Sequence, residues 1–185
     1  MRMRRAPLFI LAIVALAPGR GAAATAAPAA PAAATASALQ PFIGTWKINL
    51  AKTRMGVNGP NTPTPSRNPT FTWIFTPQSY GLRMDVYEKY PLPSATRTLQ
   101  IHADGRIRPC ETATSCLPSG GDPKQQSYAY HRLDDHMISR LFYVQGRIAE
   151  YDTYAVSADG KTLVIVAWHA PTPEYQNVQV FDRQP

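Results

Sequence analysis

The stretch FIGTWKINLAKTRMG, residues 42–56, holds the pattern that decides the fold of this chain. Its large apolar residues Trp46, Ile48 and Leu50 alternate with the polar residues between them. A period of two residues is typical of a β-strand that buries one face and exposes the other. The stretch therefore predicts that the folded part of the chain begins with a β-strand.

The same alternation recurs along the rest of the chain, and turn-forming residues interrupt it at short intervals. Asp104-Gly105 and Asp159-Gly160 are dipeptides that favour tight β-hairpin turns, and further breaks are expected at Asp134-Asp135 and Gln145-Gly146. Two clear examples of one-sided apolar faces are Phe71, Trp73 and Phe75 in one predicted strand, and Leu82, Met84 and Val86 in the next.

Glycine and proline interrupt every long helical candidate in the folded part, so the pattern predicts an all-β protein. We expect about eight to ten antiparallel strands in an up-and-down meander, which avoids exposed edges by closing into a barrel. A sandwich of two sheets is the structural alternative.

The N-terminal segment predicts export from the cytoplasm. Residues 1–24 combine early arginines, a short apolar core and small residues near a cleavage site, as a signal peptide does; an uncleaved membrane anchor is the alternative. Residues 25–38 are rich in alanine and proline and are expected to form a disordered spacer. The folded domain is expected over residues 39–185, in the periplasm or outside the cell.

The charge of the chain excludes some partners. The formal net charge is +7, but four arginines lie in the predicted signal, which leaves a scattered charge of +3 on the remainder. That value is too small to predict nucleic-acid binding. We expect a monomer that is not inserted in a membrane after cleavage and that carries no cofactor.

Two cysteines, Cys110 and Cys116, lie in a loop rich in serine, proline and glycine. Neighbouring cysteines in an oxidising compartment usually pair, so we expect a structural disulfide that stabilises the fold by roughly 2–2.5 kcal/mol. Free thiols and a redox-active pair are the alternatives. No second pair of residues has the spacing of a zinc site, so no bound metal is expected.

The opening stretch, together with the ending SADGKTLVIV and NVQVFDRQ, resembles secreted bacterial lipocalin-like proteins of the calycin type that begin with GTWK. The resemblance implies that Gly44 turns the chain into the first strand and that Trp46 plugs the closed end of the barrel. It also implies that Arg183, near the last strand, lies across Trp46 in a cation–π contact. The Arg-x-Tyr pair with which fatty-acid binders hold a carboxylate is absent, since Gln179-Val180-Phe181 and Asp182-Arg183-Gln184 stand there.

Aromatic residues are numerous, and some of them must point into a barrel of this size. We expect Trp73, Tyr128, Tyr143 and Trp168 to line a ligand cavity. The alternative is that these side chains fill the core and leave no cavity.

The segment HRLDDH, residues 131–136, is the one cluster that could supply metal binding or acid–base chemistry. On an extended chain its two histidines face opposite ways, so a polar hairpin tip is the expected role. No motif of a catalytic serine or of a phosphate-binding loop is present.

These patterns predict a non-catalytic binding protein for a small, partly apolar ligand. A cell-envelope protein with a filled barrel and a working surface is the alternative. A small barrel enzyme would need a buried charged pair inside the barrel.

Overall fold

The computed structural model describes a single β-sheet that is curled on itself. The predicted signal over 1–24, nearly all of the predicted spacer over 25–38 and most of the proline-rich loop after the first strands lie outside the described residues. The structure describes residues 38–57, 70–89, 95–112, 114–116, 122–170 and 172–185.

Eleven strands and two single-turn 3₁₀ helices make up the described part of the chain. The helices are Gln40–Phe42 and Pro123–Gln125. The strands are β1 (Gly44–Ile48), β2 (Arg54–Val57), β3 (Thr70–Gln78), β4 (Gly81–Lys89), β5 (Ala95–Ile101), β6 (Arg108–Pro109), β7 (Gln126–Arg132), β8 (Met137–Val144), β9 (Arg147–Val156), β10 (Thr162–His169) and β11 (Thr172–Arg183).

The sheet is antiparallel, and most strands pair with their neighbours in sequence. The order is β5-β4-β3-β1-β11-β10-β9-β8-β7-β6, and β2 pairs with β11 beside this path. The predicted all-β, up-and-down barrel meander is therefore confirmed. The first strand lies between β3 and β11, so the two ends of the folded chain are joined in the middle of the sheet.

Alternation along the strands separates the inner and outer faces as the sequence pattern predicts. Phe71, Trp73 and Phe75 of β3 are buried, whereas the residues between them are partly exposed. Strands β4, β9 and β10 repeat this pattern. The inner face therefore forms one continuous apolar core over most of the sheet.

The contact between Trp46 and Arg183 joins β1 to β11. The two residues are partners in the strand register, and the guanidinium carbon of Arg183 lies 4.3 Å from the centre of the Trp46 ring. Arg183 also donates hydrogen bonds to the carbonyl oxygens of Ile43, at 2.6 Å, and of Pro41 and Gly160. This arginine thus binds the first strand, the preceding turn and the hairpin before β10.

Trp46 is fully buried beneath this arginine, and its indole N–H donates to the carbonyl oxygen of Phe42 at 2.8 Å. Gly44 has a φ of +136°, which an L-residue rarely adopts, and a Cβ there would lie 2.9 Å from a nitrogen of Arg183. The residue types of the opening stretch are therefore those that this contact requires.

The two edges of the sheet, β5 and β6, are not joined by a ladder in the described part of the chain. The hairpin predicted at Asp104-Gly105 is wrong. After β5 the chain crosses to β7, where Asp104 and His131 form an isolated bridge and the Gly105 N–H donates to the carbonyl oxygen of Tyr130 at 2.8 Å. Because these bonds hold the turn against β7, β6 pairs with β7 and a gap remains beside β5.

Replacing Arg183 with methionine tests the contact with Trp46. The Arg183→Met variant keeps most of the side-chain length but loses the cation–π contact and three hydrogen bonds, so the free energy of unfolding should fall by about 2–4 kcal/mol. Urea denaturation followed by circular dichroism measures this change. The exposed Arg147 on β9 provides the control, since Arg147→Met should change stability by less than about 0.5 kcal/mol. Equal effects of the two substitutions would contradict the role given to Arg183.

Candidate functional site

A row of aromatic rings crosses the interior of the barrel. The ring of Tyr128 lies 5.6 Å from that of Tyr130, which lies 6.2 Å from Tyr154. Tyr154 is 6.3 Å from Trp73, and Trp73 is 4.8 Å from Phe181. These residues belong to β7, β9, β3 and β11, so side chains from opposite walls meet at this level. We call these five residues the aromatic row.

The four residues expected to line a ligand cavity are divided between the two faces of the sheet. Trp73 and Tyr128 are buried on the inner face and belong to the aromatic row. Tyr143 follows the buried Phe142 on β8 and therefore faces outward. Trp168 is also on the outer face, where its ring stacks on that of Tyr151 at 6.1 Å. The structure therefore brings together only two of the four.

A cleft of about 310 Å³ lies at the gap beside β5. One wall is a row of outward-facing polar residues on β5, and the other is the loop closed by the disulfide. Of the lining residues that the structure describes, Tyr128 is the one that is buried. We call this site the β5 cleft; it is lined by Thr96, Thr98, Gln100, Glu111, Thr112, Thr114, Ser115 and Tyr128.

The disulfide between Cys110 and Cys116 is present and holds the loop wall of the β5 cleft. Both cysteines are buried, and the Cys110 N–H donates to the carbonyl oxygen of Gln126 at 3.0 Å. Inside the loop, the Thr112 N–H donates to the Ser115 hydroxyl, which donates back to the Thr112 carbonyl oxygen. The loop wall is therefore tied both to itself and to the start of β7.

Sequence reasoning missed a buried charged cluster on the inner face of β8 and β9. Arg140 forms ion pairs with both Glu150 and Asp152, and all three side chains are buried. Arg140 and Asp152 are partners in the strand register. His169 lies on the solvent side of the cluster, with its Nδ1 3.5 Å from a carboxylate oxygen of Glu150. The alternation along the strands could have revealed this cluster. Arg140 lies two residues from the buried Phe142, and Glu150 and Asp152 lie four and two residues from the buried Tyr154, so all three point inward.

Burial and charge shift the protonation of this cluster. Burial, with a further contribution from Glu150, raises the pKa of Asp152 to about 7, although the charge of Arg140 opposes the shift. Burial acts to lower the pKa of Arg140, but the combined interactions with Asp152, Tyr154, Tyr130 and Glu150 outweigh it, and the pKa lies well above its usual value. Burial also raises the pKa of Tyr130 to about 12. The arginine therefore stays charged, and Asp152 can hold a proton near neutral pH.

The HRLDDH segment is the tip of the β7–β8 hairpin. Arg132 pairs with the exposed Asp135, and a carboxylate oxygen of Asp134 accepts from the His136 N–H at 2.7 Å. These bonds fit the expected polar tip. Within the described residues, no group of three His, Cys, Asp or Glu side chains could hold a metal ion. In the same part of the chain no helix is long and apolar enough to cross a membrane.

No protein-family model matches this chain, and no curated protein matches it in sequence. Solved structures are similar to it in chain path. A fatty acid binding protein of Schistosoma mansoni in complex with arachidonic acid is 10% identical, with a TM-score of 0.49 over 80% of this chain and 99% of that one. The extracellular fatty acid binding protein As-p18 is 12% identical, with a TM-score of 0.48 over 78% and 97%. Secretory abundant heat soluble protein 4 from Ramazzottius varieornatus is 8% identical, with a TM-score of 0.46 over 78% and 96%.

The raised pKa of Asp152 predicts how stability depends on pH. In the folded chain Asp152 holds a proton that it releases near pH 4 in the unfolded chain. The stability that this proton contributes is therefore fully present below about pH 4 and is lost as the pH rises through about 7. The Asp152→Asn variant removes it. Relative to the variant, the parent chain should lose about 1–3 kcal/mol of stability between pH 4 and pH 8.

Urea denaturation at several pH values measures this difference. Thr153→Val, on the adjacent outward position of β9, is the control, since it perturbs the same strand without removing a titrating group. If the free energy of unfolding changes with pH in the same way for Asp152→Asn and for the parent chain, the proton is not held by Asp152.

Proposed function

We propose that this chain is an exported, non-catalytic binding protein for a small, partly apolar ligand. The observation that carries the proposal is the position of Tyr128, which lines the β5 cleft and also begins the aromatic row. A ligand in the cleft therefore meets polar groups and one aromatic ring that packs against the interior. Small-molecule sites are lined mostly by apolar and aromatic side chains with a few placed polar groups, so the apolar part of this site would come from the aromatic row behind Tyr128.

The indole of Trp73 is an unpaired polar group within the aromatic row. Its ring is buried within the aromatic row, and among the described residues its indole N–H has no hydrogen-bond partner. Buried donors are seldom left unpaired in folded proteins, because the loss of hydration costs about 1–3 kcal/mol.

Two features support export. The first 24 residues have the pattern of a signal peptide, and the disulfide between Cys110 and Cys116 is of a kind that persists in oxidising compartments. The similar solved structures include fatty acid binding proteins, but the ligand class proposed for this chain is taken from its own residues.

A cell-envelope protein with a filled barrel is the second candidate, and the aromatic row favours it. Rings from opposite walls already touch, which limits the free volume at that level. In that case the β5 cleft would act as a surface site alone. The charged cluster meets the requirement for a small barrel enzyme, but both carboxylates are paired with Arg140 and are buried away from the cleft lining.

Titration with octan-1-ol, a small and partly apolar probe, tests the leading proposal. Binding should change the tryptophan fluorescence of the purified chain, and Trp73→Phe should remove most of that change because Trp73 lies in the aromatic row. Tyr128→Leu should weaken binding about tenfold through loss of an aromatic contact at the cleft.

Tyr151→Leu is the matched control, since it removes an aromatic ring of the same size from the outer face. Its affinity for octan-1-ol should equal that of the parent chain. Equal weakening by both tyrosine substitutions, or no fluorescence change in the parent chain, would reject binding next to the aromatic row.

A further inference from the structure

The lining of the β5 cleft indicates what kind of polar group it accepts. We infer that the cleft binds a neutral, polyhydroxylated head group, such as a sugar, on the small ligand. This inference rests on the proposed function for the apolar part of the ligand. For the head group it rests on the hydrogen-bonding capacity, the charge and the rigidity of the cleft.

Hydroxyl groups dominate the lining. Five of the eight residues are threonine or serine, and Gln100 adds an amide that both donates and accepts. Thr98 and Ser115 already donate their hydroxyl protons to Asp85 and to the Thr112 carbonyl oxygen, so they face a ligand as acceptors. In the described part of the chain, the Thr96 hydroxyl and the Gln100 amide N–H groups are available as donors. The hydroxyls of a sugar ring both donate and accept, so a sugar can bond to both kinds of group.

The charge of the lining disfavours an anionic head group. Among the described residues of the lining, Glu111 is the one ionised side chain, and none is a lysine, arginine or histidine. The nearby Arg108 is held by Asp104 in two hydrogen bonds of 2.8 and 2.9 Å. A carboxylate or phosphate would therefore meet repulsion from Glu111 without a neutralising cation. A neutral head group has no such cost.

Tyr128 gives the cleft an aromatic surface that suits the C–H face of a sugar ring. It is the buried residue of the lining and packs edge-on against Tyr130. Aromatic rings bind through their area and need little ordering of their own. The apolar part of the ligand would continue from this ring along the aromatic row.

The two walls of the cleft are held in place before any ligand binds. Thr98 donates to a carboxylate oxygen of Asp85 at 2.7 Å, which fixes the β5 wall. The disulfide and the Thr112–Ser115 hydrogen bonds fix the loop wall. A preorganised site loses less conformational entropy on binding.

Three probes separate the contribution of the head group from that of the alkyl chain of the ligand. They are dodecyl maltoside below its micelle concentration, dodecanoate and maltose. Isothermal titration of the purified chain should give an affinity for dodecyl maltoside at least about tenfold higher than for dodecanoate, since a difference of 1.4 kcal/mol suffices. Maltose alone should bind weakly but saturably.

Two substitutions in the lining and one control outside it place that binding in the cleft. Thr96→Val removes one exposed hydroxyl of the lining and should weaken binding of dodecyl maltoside and maltose about three- to tenfold. Thr72→Val, an outward position on β3, should have no effect. Glu111→Lys places a cation in the cleft and should raise the affinity for dodecanoate about tenfold or more.

Each outcome separates the inference from the proposed function. Dodecanoate binding equal to or tighter than dodecyl maltoside would overturn the head-group inference and leave the apolar site standing. Maltose binding without any gain from the dodecyl chain would retain the head group and reject the apolar part. Equal effects of Thr96→Val and Thr72→Val would show that the binding site is not in the cleft. If none of the probes binds, both the head-group inference and the proposed function are overturned.

Discussion

The contact between Arg183 and Trp46 joins the first and last strands of the domain, and the shape of the sheet depends on it. One guanidinium covers the buried indole and binds three carbonyl oxygens from the turn before β1 and from the β9–β10 hairpin. Because β1 and β11 meet in the middle of the strand order, the free edges of the sheet are β5 and β6. Because the first and last strands pair with each other, the sheet has its gap between β5 and β6, in the middle of the sequence.

The gap is bridged by features that are not a strand ladder. At one level the turn after β5 is bonded to β7 through Asp104 and Gly105. Elsewhere the disulfide loop stands opposite β5, and the space between them is the β5 cleft. The disulfide therefore does more than stabilise a loop, since it positions one wall of the site. The site lies at the junction of the two sheet edges, where polar groups face solvent and the aromatic row begins.

The charged cluster shows how the interior accommodates polar groups without opening to solvent. Removing charges from water is costly, and Arg140 offsets that cost by pairing with both Glu150 and Asp152. Burial, and to a lesser extent the neighbouring Glu150 carboxylate, raises the pKa of Asp152 to about 7, so the cluster can take up a proton near pH 7. Glu150 and Asp152 already occupy the guanidinium of Arg140. A ligand carboxylate would therefore have to displace one of them to bind there.

Much of the fold could be predicted from local pattern, because alternation and turn residues act over a few neighbours. The opening stretch predicted β1, and the resemblance correctly paired Trp46 with Arg183. The outward orientation of Tyr143 and Trp168 could not be predicted, since an aromatic residue suits either face of a strand. The error at Asp104-Gly105 has a similar cause: the dipeptide allows a tight turn, but bonds to Tyr130 and His131 from a distant strand decide where the chain goes.

The most direct measurement is the backbone amide NMR spectrum of the ¹⁵N-labelled chain during titration with dodecyl maltoside. Saturable shifts are expected at the two walls of the β5 cleft, around Thr96, Thr98, Thr112 and Ser115, and at Tyr128 behind them. No shifts are expected at the outward pair of Tyr151 and Trp168. Shifts confined to that outer pair, with an unchanged β5 cleft, would contradict ligand binding in the cleft.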